Sequence, residues 1–89
     1  MNNGAPVTSA ISSYNNAVTP SDTNTLEDDF GTDKRVTKGI AVTVPGDVAL
    51  VFADDADAIT LSLGVGEYAY AVKQIKSTGT TATGIYALY

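Results

Sequence analysis

Lys38-Gly-Ile-Ala-Val-Thr-Val-Pro-Gly-Asp-Val-Ala-Leu-Val-Phe52 decides the fold. From Lys38 the apolar residues recur with period two. Ile40, Val42 and Val44 share one face, and Ala41 and Thr43 the other, as in a β-strand. Val44-Pro45-Gly46-Asp47 has the composition of a type II turn, with proline pre-setting φ and glycine accepting positive φ. Val48, Leu50 and Phe52 then alternate with Ala49, Val51 and Ala53. Both faces of this second strand are apolar, which predicts burial on both sides.

Downstream, Asp54-Asp55-Ala56-Asp57 reads as a polar hairpin loop, and Ile59, Leu61 and Leu63 continue the alternation. Gly64-Val65-Gly66 interrupts it. Glu67–Lys76 fits a strand through Tyr68, Tyr70 and Val72, with a phase slip between Val72 and Ile75 that suggests a β-bulge. A helical stripe through Tyr68, Val72 and Ile75 is the competing pattern. Thr78–Thr83 is a low-complexity loop that feeds a last strand from about Gly84 to Tyr89, so the chain end is expected to lie in a sheet. The predicted fold is all-β: a small antiparallel β-sandwich or barrel of about five to six short strands.

The first third reads differently. From Met1 to Arg35 the large apolar side chains are sparse, with Val7, Ile11, Tyr14, Val18, Leu26 and Phe30 set among Asn, Ser, Thr, Asp and Pro. Ser9–Val18 fits either a short helix or an extended arm. Asn15 and Asn16 weaken the helical reading. Such an arm carries too little apolar surface to offset its ordering entropy, so it is expected to order only against another surface. The chain divides into an interaction arm, 1–36, and a β module, 37–89.

Composition narrows the function. The 89 residues suffice for one domain, carry a net charge of −5, and contain neither histidine nor cysteine. Disulfides, thiol nucleophiles and thiolate metal sites are excluded, and the commonest general base is missing. Five scattered basic residues against ten acidic ones argue against nucleic-acid binding. No apolar run approaches the roughly 20 residues of a membrane span. Asp54, Asp55 and Asp57 lack the glycine and distal glutamate of an EF-hand, so neither a metal nor a cofactor is expected. Gly31-Thr-Asp-Lys34 lacks the spacing of a phosphate loop. Catalytic residues are not expected.

Tyrosine is the side chain best suited to contacts, being a large ring with a polar tip. The candidate interface residues are Tyr14, Val18, Tyr68, Tyr70, Tyr86, Leu88 and Tyr89. A small module without staples often relies on association, which favours a homo-oligomer. A β module that stacks Tyr68, Tyr70 or Tyr86 on glycans is the alternative from another class.

Four segments carry a family resemblance. They are Ala17-Val-Thr-Pro-Ser-Asp22 ahead of Leu26, Lys38–Val48, Lys73–Lys76, and Thr78-Gly-Thr-Thr-Ala-Thr-Gly-Ile-Tyr-Ala-Leu-Tyr89. Over roughly Tyr14–Tyr89 the chain resembles the head spike base protein family of tailed phages and gene transfer agents. The resemblance implies a β-rich virion structural protein on the capsid exterior, assembled in the host cytoplasm. It implies a spike or fibre base, or a decoration (cement) protein, with a tail or baseplate adaptor as the variant. The implied partners are its own copies, as trimer or pentamer, with a major capsid protein or spike fibre protein. Lys34-Arg35-Val36 and the acidic Asp54–Asp57 loop depart from the family pattern.

Overall fold

The computed structural model describes residues 10–89. Six strands form two antiparallel three-stranded sheets: β1 (Gly39–Val44), β2 (Gly46–Phe52), β3 (Ile59–Leu63), β4 (Gly66–Tyr68), β5 (Val72–Lys76) and β6 (Thr83–Leu88). The first sheet has the order β4-β1-β6 and the second β3-β2-β5. The expected all-β fold, a small sandwich or barrel, is found in its sandwich form.

The core lies between the sheets. Ile40 and Val42 of β1 and Ile85 of β6 meet Val48 and Leu50 of β2, Leu63 of β3, and Val72 and Ile75 of β5. Each such side chain contributes about 1.5–3 kcal/mol by leaving water. Ala49 and Val51, on the opposite face of β2, are buried as well, so the two-sided reading of that strand holds. Ala49 lies beneath the 77–82 loop. Its N–H donates to Thr80 Oγ1 (2.9 Å), and Thr80 Oγ1 donates to Lys76 O (2.6 Å).

β2 and β3 form the expected hairpin, joined across the acidic Asp54–Asp57 loop. The expected turn between β1 and β2 is different. These strands lie in separate sheets, and Pro45 is the crossing point. Gly46 has no positive φ, opens β2 opposite Leu63, and is therefore not the third residue of a type II turn. Its role is close approach. A Cβ there would sit 2.7 Å from Ala82 N and 2.8 Å from Thr81 Oγ1. The backbone of 81–82 is drawn in by Asp47 O, which accepts from Thr81 N–H (2.8 Å) and Ala82 N–H (3.1 Å).

Glu67–Lys76 is two strands, not one. β4 pairs with β1, the chain crosses at 69–71, and β5 pairs with β2. Tyr70 N–H bonds Tyr68 O (2.9 Å), closing the tight turn that starts the crossing. The phase slip is a bulge: Val51 faces Gln74 and Phe52 faces Val72, leaving Lys73 extra.

Two elements have no counterpart in the sequence reading, the smaller being a single 3-10 turn at Thr32–Lys34. Leu26–Phe30 forms a five-residue helix, α1. Thr25 and Asp28 make a capping box, Asp28 N–H to Thr25 Oγ1 (3.3 Å) and Thr25 N–H to Asp28 Oδ2 (2.8 Å). The helix inserts one residue, Leu26, into the core. Glu27, Asp28 and Asp29 remain at the surface.

Candidate functional site: a strap joining the two sheets

The described part of the arm is extended, and its host surface is the chain's own sheet. Ala17 faces Tyr86 in an antiparallel bridge along the outer side of β6. Val18 N–H donates to Ile85 O (2.8 Å), Ala87 N–H to Asn16 O (2.9 Å), and Tyr89 N–H to Ser13 O (2.9 Å). One residue more lies between Ser13 and Asn16 than a regular ladder takes up. Asn16 stabilises that irregularity through its amide, which donates to Ser13 Oγ (2.9 Å) and Ala87 O (3.1 Å). The helical alternative for Ser9–Val18 is absent over 10–18, where the backbone donors of 16 and 18 are engaged outside any helix. Ser9 itself and residues 1–8 lie outside the described residues.

Beyond Pro20 the strap changes sheets. Ser21 N–H donates to Ile75 O on β5 (2.9 Å), and Gln74 Nε2 donates back to Ser21 O (3.0 Å). Asp22 then clamps Thr78, accepting from its hydroxyl at 2.6 Å and its N–H at 3.0 Å. Ala17–Asp22 therefore leaves the edge of one sheet and lands on the edge of the other. The Thr78 hydroxyl and amide hold the Asp22 carboxyl below its ordinary value. A depressed carboxyl stabilises the fold above its unfolded pKa, and that contribution is lost as pH falls through the folded value. Acidification below about pH 4 should therefore loosen the strap. The Thr78 amide resonance should follow the titration, and the pH response should vanish in Asp22→Asn.

A second crossing returns the chain. Thr37 N–H donates to Val72 O (3.0 Å), and its Oγ1 donates to Tyr70 O (2.7 Å) while accepting from Val72 N–H (3.0 Å). Lys38 N–H then donates to Leu88 O on β6 (2.9 Å). Thr37 is a buried polar side chain with its hydroxyl fully used. Thr37→Val keeps the shape and orphans a buried N–H and C=O. It should cost about 1–3 kcal/mol in urea unfolding.

The aromatic residues divide into two groups. Tyr68 and Tyr70 stack at 5.4 Å, and Phe52 meets Tyr70 edge-on at 5.3 Å. All three pack against the core, and the Tyr68 hydroxyl donates to Gly64 O (2.8 Å). Tyr14 and Tyr86 instead meet at 6.1 Å, and Tyr14 is 46% exposed. Tyr86 shares a row across the sheet with Ala41 and Glu67. Partial desolvation and then the Glu67 charge hold the Tyr14 phenol above its ordinary value.

The remaining candidates are largely consumed within the chain. Leu88 is 2% exposed and Tyr89 7%. The Tyr89 ring meets Phe30 edge-on at 6.1 Å, with Lys34 Nζ 5.5 Å from its centre. Among the described residues its buried hydroxyl has no hydrogen-bond partner, and burial, reinforced by Asp29, pushes its pKa up to about 12. Val18 is half-buried against the core.

A groove of about 380 Å³ runs between the strap and the C-terminal loop, lined by Val18, Pro20, Thr80, Ala82 and Ile85 among others. It offers methyl groups and hydroxyls, without an acid–base pair. A second groove of about 350 Å³ beside α1 is lined by Glu27, Arg35, Asp54 and Lys73 among others. Among the described residues no three acidic side chains converge as a metal site would require. Comparison with protein-family models, with curated proteins and with solved structures finds no match to this chain.

Sequence reasoning passed over Asp22 and Thr37 as functional residues. Thr25-x-x-Asp28 was the available signal for α1. Asp22 and Thr37 carry no comparable signature, because their partners lie 56 and 35 residues away.

Proposed function

We propose that this chain is a non-enzymatic virion structural protein, an oligomeric base for a head spike or fibre, or a decoration protein, on a capsid exterior. One observation carries the reading. The segments behind the resemblance to head spike base proteins, Ala17–Asp22 and Thr78–Tyr89, bind one another directly through Val18–Ile85 and Asp22–Thr78. Residues so placed hold two sheets together. The strap, the satisfied Thr37 crossing and the absence of histidine and cysteine all suit a load-carrying part better than a catalyst.

The contact surface supported best is the outer face of the first sheet, where Tyr14 and Tyr86 stand. Co-sedimentation with capsids tests the proposal. Stoichiometric binding that is weakened by Tyr14→Ala with Tyr86→Ala supports it. Failure to bind particles from the same source, with the protein folded, contradicts it. The glycan-binding alternative narrows to Tyr86, now beside Tyr14, because Tyr68 and Tyr70 are stacked on each other and on the core.

A further inference from the structure

The outer edges of the two sheets are finished differently. β6 is paired with the strap. β5 receives the N–H groups of Ser21 and Thr37. β4 is three residues long and carries Glu67 at its centre. β3, Ile59-Thr-Leu-Ser-Leu63, has none of these devices. It runs five residues without charge or proline, and among the described residues only β2 pairs with it. Natural sheets blunt such edges because unpaired main-chain groups template further pairing. Ile59 is 49% exposed at one end of β3, and Val65 is 68% exposed just past the other.

The hydrogen-bonding direction of that edge can be read from β2. Asp47 and Ala49 aim their N–H groups away from β3, at Thr81 Oγ1 and Thr80 Oγ1. Alternation turns Val48 and Leu50 toward their β3 partners, Leu61 and Ile59. Thr60 and Ser62 therefore present their N–H and C=O groups at the free edge.

We propose that this edge pairs antiparallel with the same edge of a second copy, about a two-fold axis at Leu61. Thr60 then exchanges main-chain bonds with Ser62 of the second copy, and Ser62 with its Thr60. Leu61 meets Leu61 in the closer, non-hydrogen-bonded position, and Ile59 lies beside Leu63. The strand is close to palindromic about Leu61, apolar–hydroxyl–apolar–hydroxyl–apolar, so the two-fold matches each residue with its like.

Charge fixes the direction. Asp54, Asp55 and Asp57 crowd the hairpin tip at one end of β3. Antiparallel pairing sets the two Asp57 residues about 27 Å apart, whereas in-register parallel pairing sets them about 5 Å apart. The contact joins two sheets into one of six strands and does not depend on the virion reading.

Sedimentation velocity on the full chain, up to roughly 100 µM, tests the proposal. The expected result is a reversible dimer that strengthens with salt, because the net charge of −5 on each copy is screened. Ser62→Pro removes a free-edge donor without touching a β2–β3 bond. It should weaken self-association by more than about tenfold at unchanged circular dichroism. In this cysteine-free chain, Leu61→Cys should cross-link under mild oxidation and Asp57→Cys should not, which decides the matter if the proline variant unfolds. A monomer at every concentration and salt level overturns the proposal. So does a dimer undiminished in folded Ser62→Pro, or faster cross-linking through Asp57→Cys.

Discussion

Truncation to Thr23–Tyr89 is expected to lower the unfolding free energy by about 3–5 kcal/mol. The losses are specific. Val18 and Ser21 cease to donate to Ile85 and Ile75, and Ala87 and Tyr89 lose their acceptors. Asp22 no longer holds Thr78, and Val18 leaves the core. A domain of this size holds about 4–13 kcal/mol in total, so the truncated chain should be marginal at ambient temperature. It should also aggregate, because β6 becomes a bare edge. Urea unfolding followed by circular dichroism checks both. An unchanged midpoint would mean that residues 23–89 stand without the strap.

Gly46→Ala is expected to cost about 2–4 kcal/mol, although Gly46 sits at the surface end of a strand. The added methyl meets the main chain of Ala82, with Cβ 2.7 Å from its nitrogen and 3.0 Å from its Cα. Backbone cannot rotate away as a side-chain tip can. The Asp47 bonds to Thr81 and Ala82, which seat the C-terminal loop, must lengthen. Gly84→Ala gives the control for a different cause. There φ is +62°, and the clash is with the Oγ1 end of the Thr43 side chain. Gly84→Ala in a Thr43→Ala background should regain stability, whereas no single side-chain truncation should rescue Gly46→Ala. Thermal unfolding of Gly84→Ala with and without Thr43→Ala, and of Gly46→Ala with and without Thr81→Ala, separates the two cases.

Much of the sandwich was legible because burial writes itself into side-chain alternation. The two apolar faces of β2, the acidic hairpin loop and the slip at Lys73 were all readable from spacing. Pairing partners were not. Alternation in Ile40–Val44 and Val48–Phe52 shows which residues face inward, but adjacent strands on two sheets carry the same pattern as adjacent strands on one. The Pro45-Gly46 pair therefore suggested a turn where the chain crosses between sheets.

The strap was illegible for another reason. Its partners are main-chain groups of β6 and β5, which any residue can supply, so Ser12–Asp22 needs no apolar period. Its polarity suggested a segment in search of a foreign surface. The same polarity fits a sheet edge whose outer side faces water. Among the candidate contacts, Leu88 and Tyr89 were recognisable as packing residues, but nothing in the sequence showed that the packing is internal.

Native-state hydrogen exchange of the full-length protein tests the strap most directly. The Val18 and Ser21 amides should exchange as slowly as those of Val42 and Leu50 in the central strands, with Thr78 close behind. Exchange of Val18 and Ser21 at the rate of an unstructured peptide, while the strand amides stay protected, would contradict a strap that joins the two sheets.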